Sequence, residues 1–221
     1  MKPLVIIPAF NEEMNIASLV KKIEDLSYDY IVVNDCSKDG TSKLLKDNGI
    51  NHLDLPSNVG LASVTQMGFK YAVDNDYDCA IVIDGDGQHN PSYIADLFKK
   101  IEEGDDYVVG SRYLTEKKPW NLRMIGSRII AFFILLKAHR KVTDPTSGMR
   151  CLGRKVLREF SEYMNFVAEP DALCHIIRKK YKYSEVQVSM NEREQGASYF
   201  ADPFKSIVFM VKVLISIIFI Q

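Results

Sequence analysis

Short apolar runs punctuate the first half of the chain, at residues 4–8, 30–33, 79–83 and 107–109. Unbroken runs of this length, rich in Val and Ile, predict strands buried on both faces. Between the first two, Ile16, Leu19, Val20, Ile23 and Leu26 recur at helical spacing. Asn11 is expected to cap that helix, with Glu12 and Glu13 in its positive first turn. Residues 41–48, 60–75 and 91–103 predict further helices, the second with Leu61, Val64, Gly68 and Ala72 on one side, and residues 52–55 predict a short strand. This alternation predicts an α/β fold, a mostly parallel sheet flanked by helices. Ligands of such sheets lie beyond the carboxyl ends of the strands. The polar clusters Asn11-Glu12, Asn34-Asp35 and 84–89 all fall there.

The pattern changes after residue 111. Residues 129–136 are uniformly apolar, bracketed by Arg123 and Arg128 before and Lys137, His139, Arg140 and Lys141 after. Residues 185–190 alternate like a strand, and 204–220 are apolar apart from Lys205, Ser206, Lys212 and Ser216. With no repeat or linker, one domain over 1–200 is expected, with halves 1–111 and 112–200, followed by an apolar tail at 201–221. As a helix the tail is roughly 25 Å long, short of the ~30 Å hydrocarbon core. It is therefore expected to lie in a membrane interface, with Ile207, Val211, Leu214 and Ile218 toward the acyl chains.

At 221 residues, 47% hydrophobic and 26% charged, the chain has ordinary globular composition, which excludes disorder and coiled coil. The formal net charge of −1 hides a polarised distribution. Residues 1–111 hold nineteen Asp and Glu, nine Lys and no Arg, whereas residues 112–158 hold twelve Lys and Arg against two acids. An acidic half suits cation coordination and a basic block suits an anionic partner. The four cysteines lack CxxC spacing, which argues against zinc or a disulfide framework and fits a reducing cytoplasm. The first apolar run passes straight into Asn11-Glu12-Glu13, so no signal peptide is expected. Aromatic residues are spread as in a core, so no nucleic-acid partner is expected.

Asp84-Gly85-Asp86-Gly87-Gln88-His89 directly follows a predicted strand. Two carboxylates one residue apart, with the Gln88 carbonyl, are hard oxygen ligands suited to Mg²⁺ or Mn²⁺, leaving positions for water and a diphosphate. His89 is equally suited to line the pocket. An EF-hand, a Walker loop and a GxGxxG after the first strand are all absent.

Taken together, Pro8-Ala9-Phe10-Asn11-Glu12-Glu13, the stretch from Asn34 to Thr41, Asn58-Val59-Gly60, the Asp84 to His89 loop and Gly110-Ser111-Arg112 resemble the family 2 glycosyltransferases of GT-A fold. Asp144-Pro145-Thr146-Ser147-Gly148-Met149-Arg150, Glu169-Pro170-Asp171 and the stretch from Arg193 to Ser198 resemble its branch of dolichol-phosphate mannose synthase and bacterial polyprenyl-phosphate glycosyltransferases. The resemblance implies that Pro8, Ala9, Asn11, Glu12, Asp35, Asn58, Gly60, Asp84 and Gly85 line a nucleotide-sugar pocket. It implies Asp84, Asp86 and Gln88 as the metal set, and Arg112, Arg150, Arg193 and Ser198 as contacts to phosphates. The implied activity is inverting sugar transfer to a polyprenyl phosphate, peripherally at the cytoplasmic membrane face, for cell-surface glycan synthesis. A small membrane protein is a further candidate partner for the tail. A saccharide hydroxyl acceptor would instead need a base, for which Glu169 or Asp171 stands ready, and a non-catalytic nucleotide-sugar-binding subunit is the competing class.

Overall fold

The computed structural model describes residues 1–163, 166, 169–191 and 203–220. Its first half alternates as expected: β1 (Pro3–Ala9), α1 (Ile16–Asp25), β2 (Asp29–Asn34), α2 (Thr41–Asp47), β3 (His52–Asp54), α3 (Leu61–Asp74) and β4 (Cys79–Val82). A 3-10 turn (Pro91–Tyr93) leads into α4 (Ile94–Glu102) and β5 (Tyr107–Ser111). Then come α5 (Leu122–Ala138), β6 (Arg150–Gly153), α6 (Arg154–Glu162), α7 (Glu169–Arg178), β7 (Tyr183–Gln187) and α8 (Pro203–Ile215), with a closing π-helical turn (Ser216–Ile220).

The strands form one sheet in the order β3-β2-β1-β4-β6-β5-β7, and only the two pairings made by β6 are antiparallel. Successive side chains of a strand serve opposite faces. Leu4 and Ile6 of β1 accordingly join a core under α3, α5, α6, α7 and α8, while Val5 and Ile7 join one under α1, α2 and α4. Burial on both sides is why these runs are apolar throughout.

Several expectations need correction. Asn11 caps nothing: it sits at φ 57°, and α1 begins only at Ile16, after the Glu12 carbonyl has accepted the amides of Asn15 and Ile16. Leu61, expected on the buried side of α3, is exposed at its first turn. β6 was not legible as a strand, because Arg150 begins a run of four residues. β7 starts two residues before the predicted strand, and Met190 turns aside to bridge His89.

The tail also packs more closely than expected. Val213 and Ile217 are buried in the core, Leu214 packs against it, and the Ser216 hydroxyl donates to Asp171 Oδ2 at 2.6 Å. Removing residues 204–221 would therefore take out part of the core, so a deletion does not isolate membrane attachment.

Glu159 ties α6 to α7 and to the segment after it, accepting from Tyr181 Oη at 2.6 Å and Lys179 Nζ at 2.8 Å, with His175 Nε2 at 2.7 Å. Partial burial would raise its pKa, but these partners hold it down to about 2. A depressed carboxylate contributes stability that is present above the unfolded pKa of ~4.3 and is lost as pH falls toward the folded value. Glu159→Gln should cost about 1–2 kcal/mol at neutral pH, in chemical denaturation, and the gap from wild type should close between roughly pH 4 and pH 2.

Candidate active site

The loops after β1, β2 and β4 are zipped together at the carboxyl edge. Gly85 N donates to the Pro8 carbonyl at 3.2 Å, and a Cβ at Gly85 would lie 2.9 Å from that oxygen, so only glycine permits this approach. Pro8, Ala9 and Gly85 are buried beneath the loops. The left-handed turn at Asn11 lets its amide donate to Ser37 Oγ and its Oδ1 accept from Lys38 N, at 2.9 and 2.8 Å. Glu12 N donates to Thr41 Oγ1, while Glu12 Oε2 accepts from Asn15. Asp35, nearly buried, accepts the amides of Val59 at 2.7 Å and Gly60 at 3.0 Å, and its own carbonyl accepts from Asn58 Nδ2. Each carboxylate oxygen keeps a lone pair for a further donor. The expected nucleotide-pocket residues Pro8, Ala9, Asn11, Glu12, Asp35, Asn58, Gly60, Asp84 and Gly85 are thus brought to one edge.

The Asp84 to His89 loop turns beside them. The Asp84 carboxylate is 38% exposed, and Asp86 Oδ1 accepts from Gln88 N at 3.0 Å. His89 is buried and its Nδ1 accepts the Asp84 amide at 3.0 Å, so it braces the loop from beneath and carries its proton on Nε2. A Cβ at Gly148 would lie 2.7 Å from Asp84 Oδ2, so the turn before β6 abuts this carboxylate. No cluster of three or more His, Cys, Asp or Glu side chains that could hold a metal exists among the described residues. Two acids and an amide oxygen still fit Mg²⁺ or Mn²⁺, which commonly take one or two carboxylates and complete their shell with water and substrate phosphates.

On the other side of that turn, Arg112 forms a two-pronged pair with the fully buried Asp144, Nε to Oδ2 at 2.6 Å and Nη2 to Oδ1 at 2.8 Å. Burial would raise the Asp144 pKa, but the adjacent guanidinium holds it below the ordinary value. Glu185 Oε1 accepts the amides of Thr143 and Asp144 and fixes the turn. Thr146 Oγ1 lies 3.4 Å from both Arg112 Nη2 and Ser127 Oγ, and Ser127 accepts from Lys118 Nζ at 2.9 Å. Burial, with Arg112 and Arg128 nearby, pushes the Lys118 ammonium pKa down. A lysine crowded in this way by neighbouring cations makes a receptive place for an anion.

The sequence profile of glycosyl transferase family 2 matches residues 4–161. The chain belongs to that family. A UDP-N-acetylglucosamine–dolichyl-phosphate N-acetylglucosaminyltransferase from Methanococcus voltae is 32% identical over 83% of this chain and 83% of its own length. A dolichol-phosphate mannosyltransferase from Pyrococcus furiosus is 31% identical over 90% of this chain and 59% of its own. Among solved structures, glucosyl-3-phosphoglycerate synthase from Mycobacterium tuberculosis in complex with uridine-diphosphate aligns at TM-score 0.75 and 19% identity, covering 98% of this chain and 79% of that one. That likeness shows the fold, the mostly parallel, helix-flanked sheet expected of GT-A enzymes.

Not every expected site residue of this glycosyltransferase reaches the edge. Arg150 is 5% exposed and donates to Ser147 O at 2.7 Å, Tyr107 Oη at 3.0 Å and Pro145 O at 3.4 Å, supporting the turn from below. Asp171 is fully buried between α7 and the C-terminal turn. Glu169 opens α7, and Arg193 and Ser198 lie outside the described residues. Lys118, Ser127 and Thr146 were not named among the expected site residues; Thr146 falls within the Asp144 to Arg150 motif, and for Lys118 and Ser127 the signal was the excess of Lys and Arg over residues 112–158.

Two substitutions separate the halves. Gly85→Ala should lower stability by about 1–3 kcal/mol through overpacking against Pro8 and raise KM for the donor, read from thermal melts and initial rates. Asp144→Asn should destabilise by about 3 kcal/mol by breaking a buried pair, and should raise KM for the acceptor rather than the donor.

Proposed function

We propose that this glycosyltransferase moves a sugar from a nucleotide-sugar donor to a polyprenyl phosphate at the cytoplasmic face of a membrane, by a metal-dependent, inverting reaction that serves cell-surface glycan synthesis. The observation that carries the acceptor is the cationic cluster of Arg112 and Lys118 with Ser127 and Thr146, one turn away from Asp84. It offers positive charge and hydroxyl donors where a hydroxyl acceptor would need a base. The names of the curated relatives point the same way.

The donor would lie across the zipped loops, its base and ribose near Asp35 and its diphosphate toward Asp84, Asp86 and Gln88. A divalent cation held by those three side chains would neutralise the charge that builds on the departing nucleoside diphosphate. The acceptor phosphate, already ionised at neutral pH, needs no proton removed. One of its oxygens forms the new bond to the anomeric carbon while the bond to the diphosphate breaks and its electron pair leaves with the nucleotide. Attack opposite the leaving group inverts the centre. Arg112, kept charged and aimed by Asp144, would hold an acceptor oxygen with Lys118. Arg193 and Ser198 are proposed as further phosphate contacts. Arg150 would act by holding the turn.

Transfer should be assayed with radiolabelled UDP- and GDP-sugars and a polyprenyl phosphate in detergent. Label should pass into organic solvent, should require Mg²⁺ or Mn²⁺, and should fall roughly a thousandfold in Asp86→Asn. Label recovered in water-soluble oligosaccharide or protein, or full activity in Asp86→Asn, would overturn the proposal.

A further inference from the structure

Seven Lys and Arg and no Asp or Glu occupy residues 117–143, a stretch that contains the whole of α5. The helix buries Met124, Ser127, Ile130 and Ile134 against the domain. On the opposite side Leu122, Ile125, Ile129, Phe132 and Leu136 recur three or four residues apart and are all exposed. Just before the helix stands Trp120, 82% exposed, with the Arg128 guanidinium 4.1 Å over its ring. Exposed Lys117 and Arg123 flank one end of this stripe and exposed Arg140 and Lys141 the other. α8 packs on α5 and exposes Ile207, Val211 and Ile215 beside it, again with no acid among residues 203–220.

From this arrangement we infer that α5, with α8 beside it, beds its outer face into the headgroup boundary of an anionic bilayer, its axis parallel to the surface. An apolar stripe with cations at both ends is satisfied by lying flat, where each end meets headgroups. An exposed Trp with a basic neighbour suits the same boundary. A second copy of the chain fits worse in a two-fold contact, because cations would face cations. Among the described residues no helix is long and apolar enough to cross a membrane. The membrane face assigned here centres on α5 rather than on the tail alone. Ser127 lies on the inner side of this helix and accepts from Lys118. The cationic cluster of Arg112 and Lys118 would then stand within about one helix diameter, ~10 Å, of the headgroups. Although a lipid acceptor supplies the reason for such contact, vesicle binding needs neither acceptor nor donor, so the two proposals stand or fall separately.

Trp120 is the only tryptophan, so its emission reports this face alone. Full-length protein mixed with vesicles of phosphatidylcholine and phosphatidylglycerol should co-sediment and shift Trp120 emission to the blue. Pure phosphatidylcholine or high salt should weaken both effects. Phe132→Ser and Leu136→Ser, at exposed positions, should leave the thermal melt unchanged and each weaken vesicle partitioning about tenfold. Lys137→Glu with Lys141→Glu should weaken it on anionic vesicles only. The inference is overturned if both apolar variants bind like wild type, or if the protein sediments with no change in Trp120 emission. It is equally overturned if sedimentation equilibrium without lipid shows a dimer that Phe132→Ser dissociates, which would give this face to a second copy.

Discussion

Because β6 is hydrogen-bonded antiparallel to both β4 and β5, the residues that precede it, rather than those that follow, arrive at the carboxyl edge of the sheet. Val82 at the end of β4 and Val109 near the end of β5 both pair with Arg150 at the start of β6. The turn of residues 144–149 is thereby laid between Asp84 and Ser111. Gly110 N donates to Met149 O, the Ser147 hydroxyl donates to Gly110 O, and the Arg150 guanidinium gathers the carbonyls beneath. The turn therefore stands between the Asp84 loop and the cationic cluster. A parallel strand in the same slot would have delivered Arg154 and α6 to the edge instead.

The reversal also reconciles the chain's divided charge with its chemistry. Transfer between two phosphorylated molecules brings anions together, and an acidic half alone would repel them. On the proposed reading, a divalent cation held by Asp84 and Asp86 would turn that acidity to use by neutralising the leaving diphosphate. Arg112 and Lys118 stand on the far side of the turn, where the second anion would come. Asp144 points Arg112 without neutralising the cluster, since Arg112, Lys118 and Arg128 outnumber the carboxylates Asp144 and Glu185.

The first half was readable in sequence because each of its layers repeats a local rule. Strands buried on both faces must be apolar runs, and helices between them must show one apolar side. The same reasoning failed at Asn11, whose amide and side chain serve another loop, the 26 and 27 residues to Ser37 and Lys38 being invisible to local pattern. Arg150 was expected as a phosphate contact from the resemblance of the Asp144 to Arg150 stretch, yet it is buried. Its burial is compensated by acceptors that include the Ser147 and Pro145 carbonyls of the adjoining turn and the distant Tyr107 hydroxyl. Lys118, Ser127 and Thr146 come from three separate segments with no spacing of their own. They come together only when α5 and the turn before β6 are folded against each other.

The claim on which the rest depends is that the edge holding Asp84 and Asp86 binds a nucleoside diphosphate through a divalent cation. Calorimetric titration of UDP and of GDP into the protein, with Mg²⁺ or Mn²⁺ and again with chelator, measures this without any acceptor or membrane. One nucleotide should bind with the cation present and lose most of its affinity in chelator, and Asp86→Asn should bind weakly in both conditions. Binding that is equal with and without the cation, or unchanged in Asp86→Asn, would contradict the account.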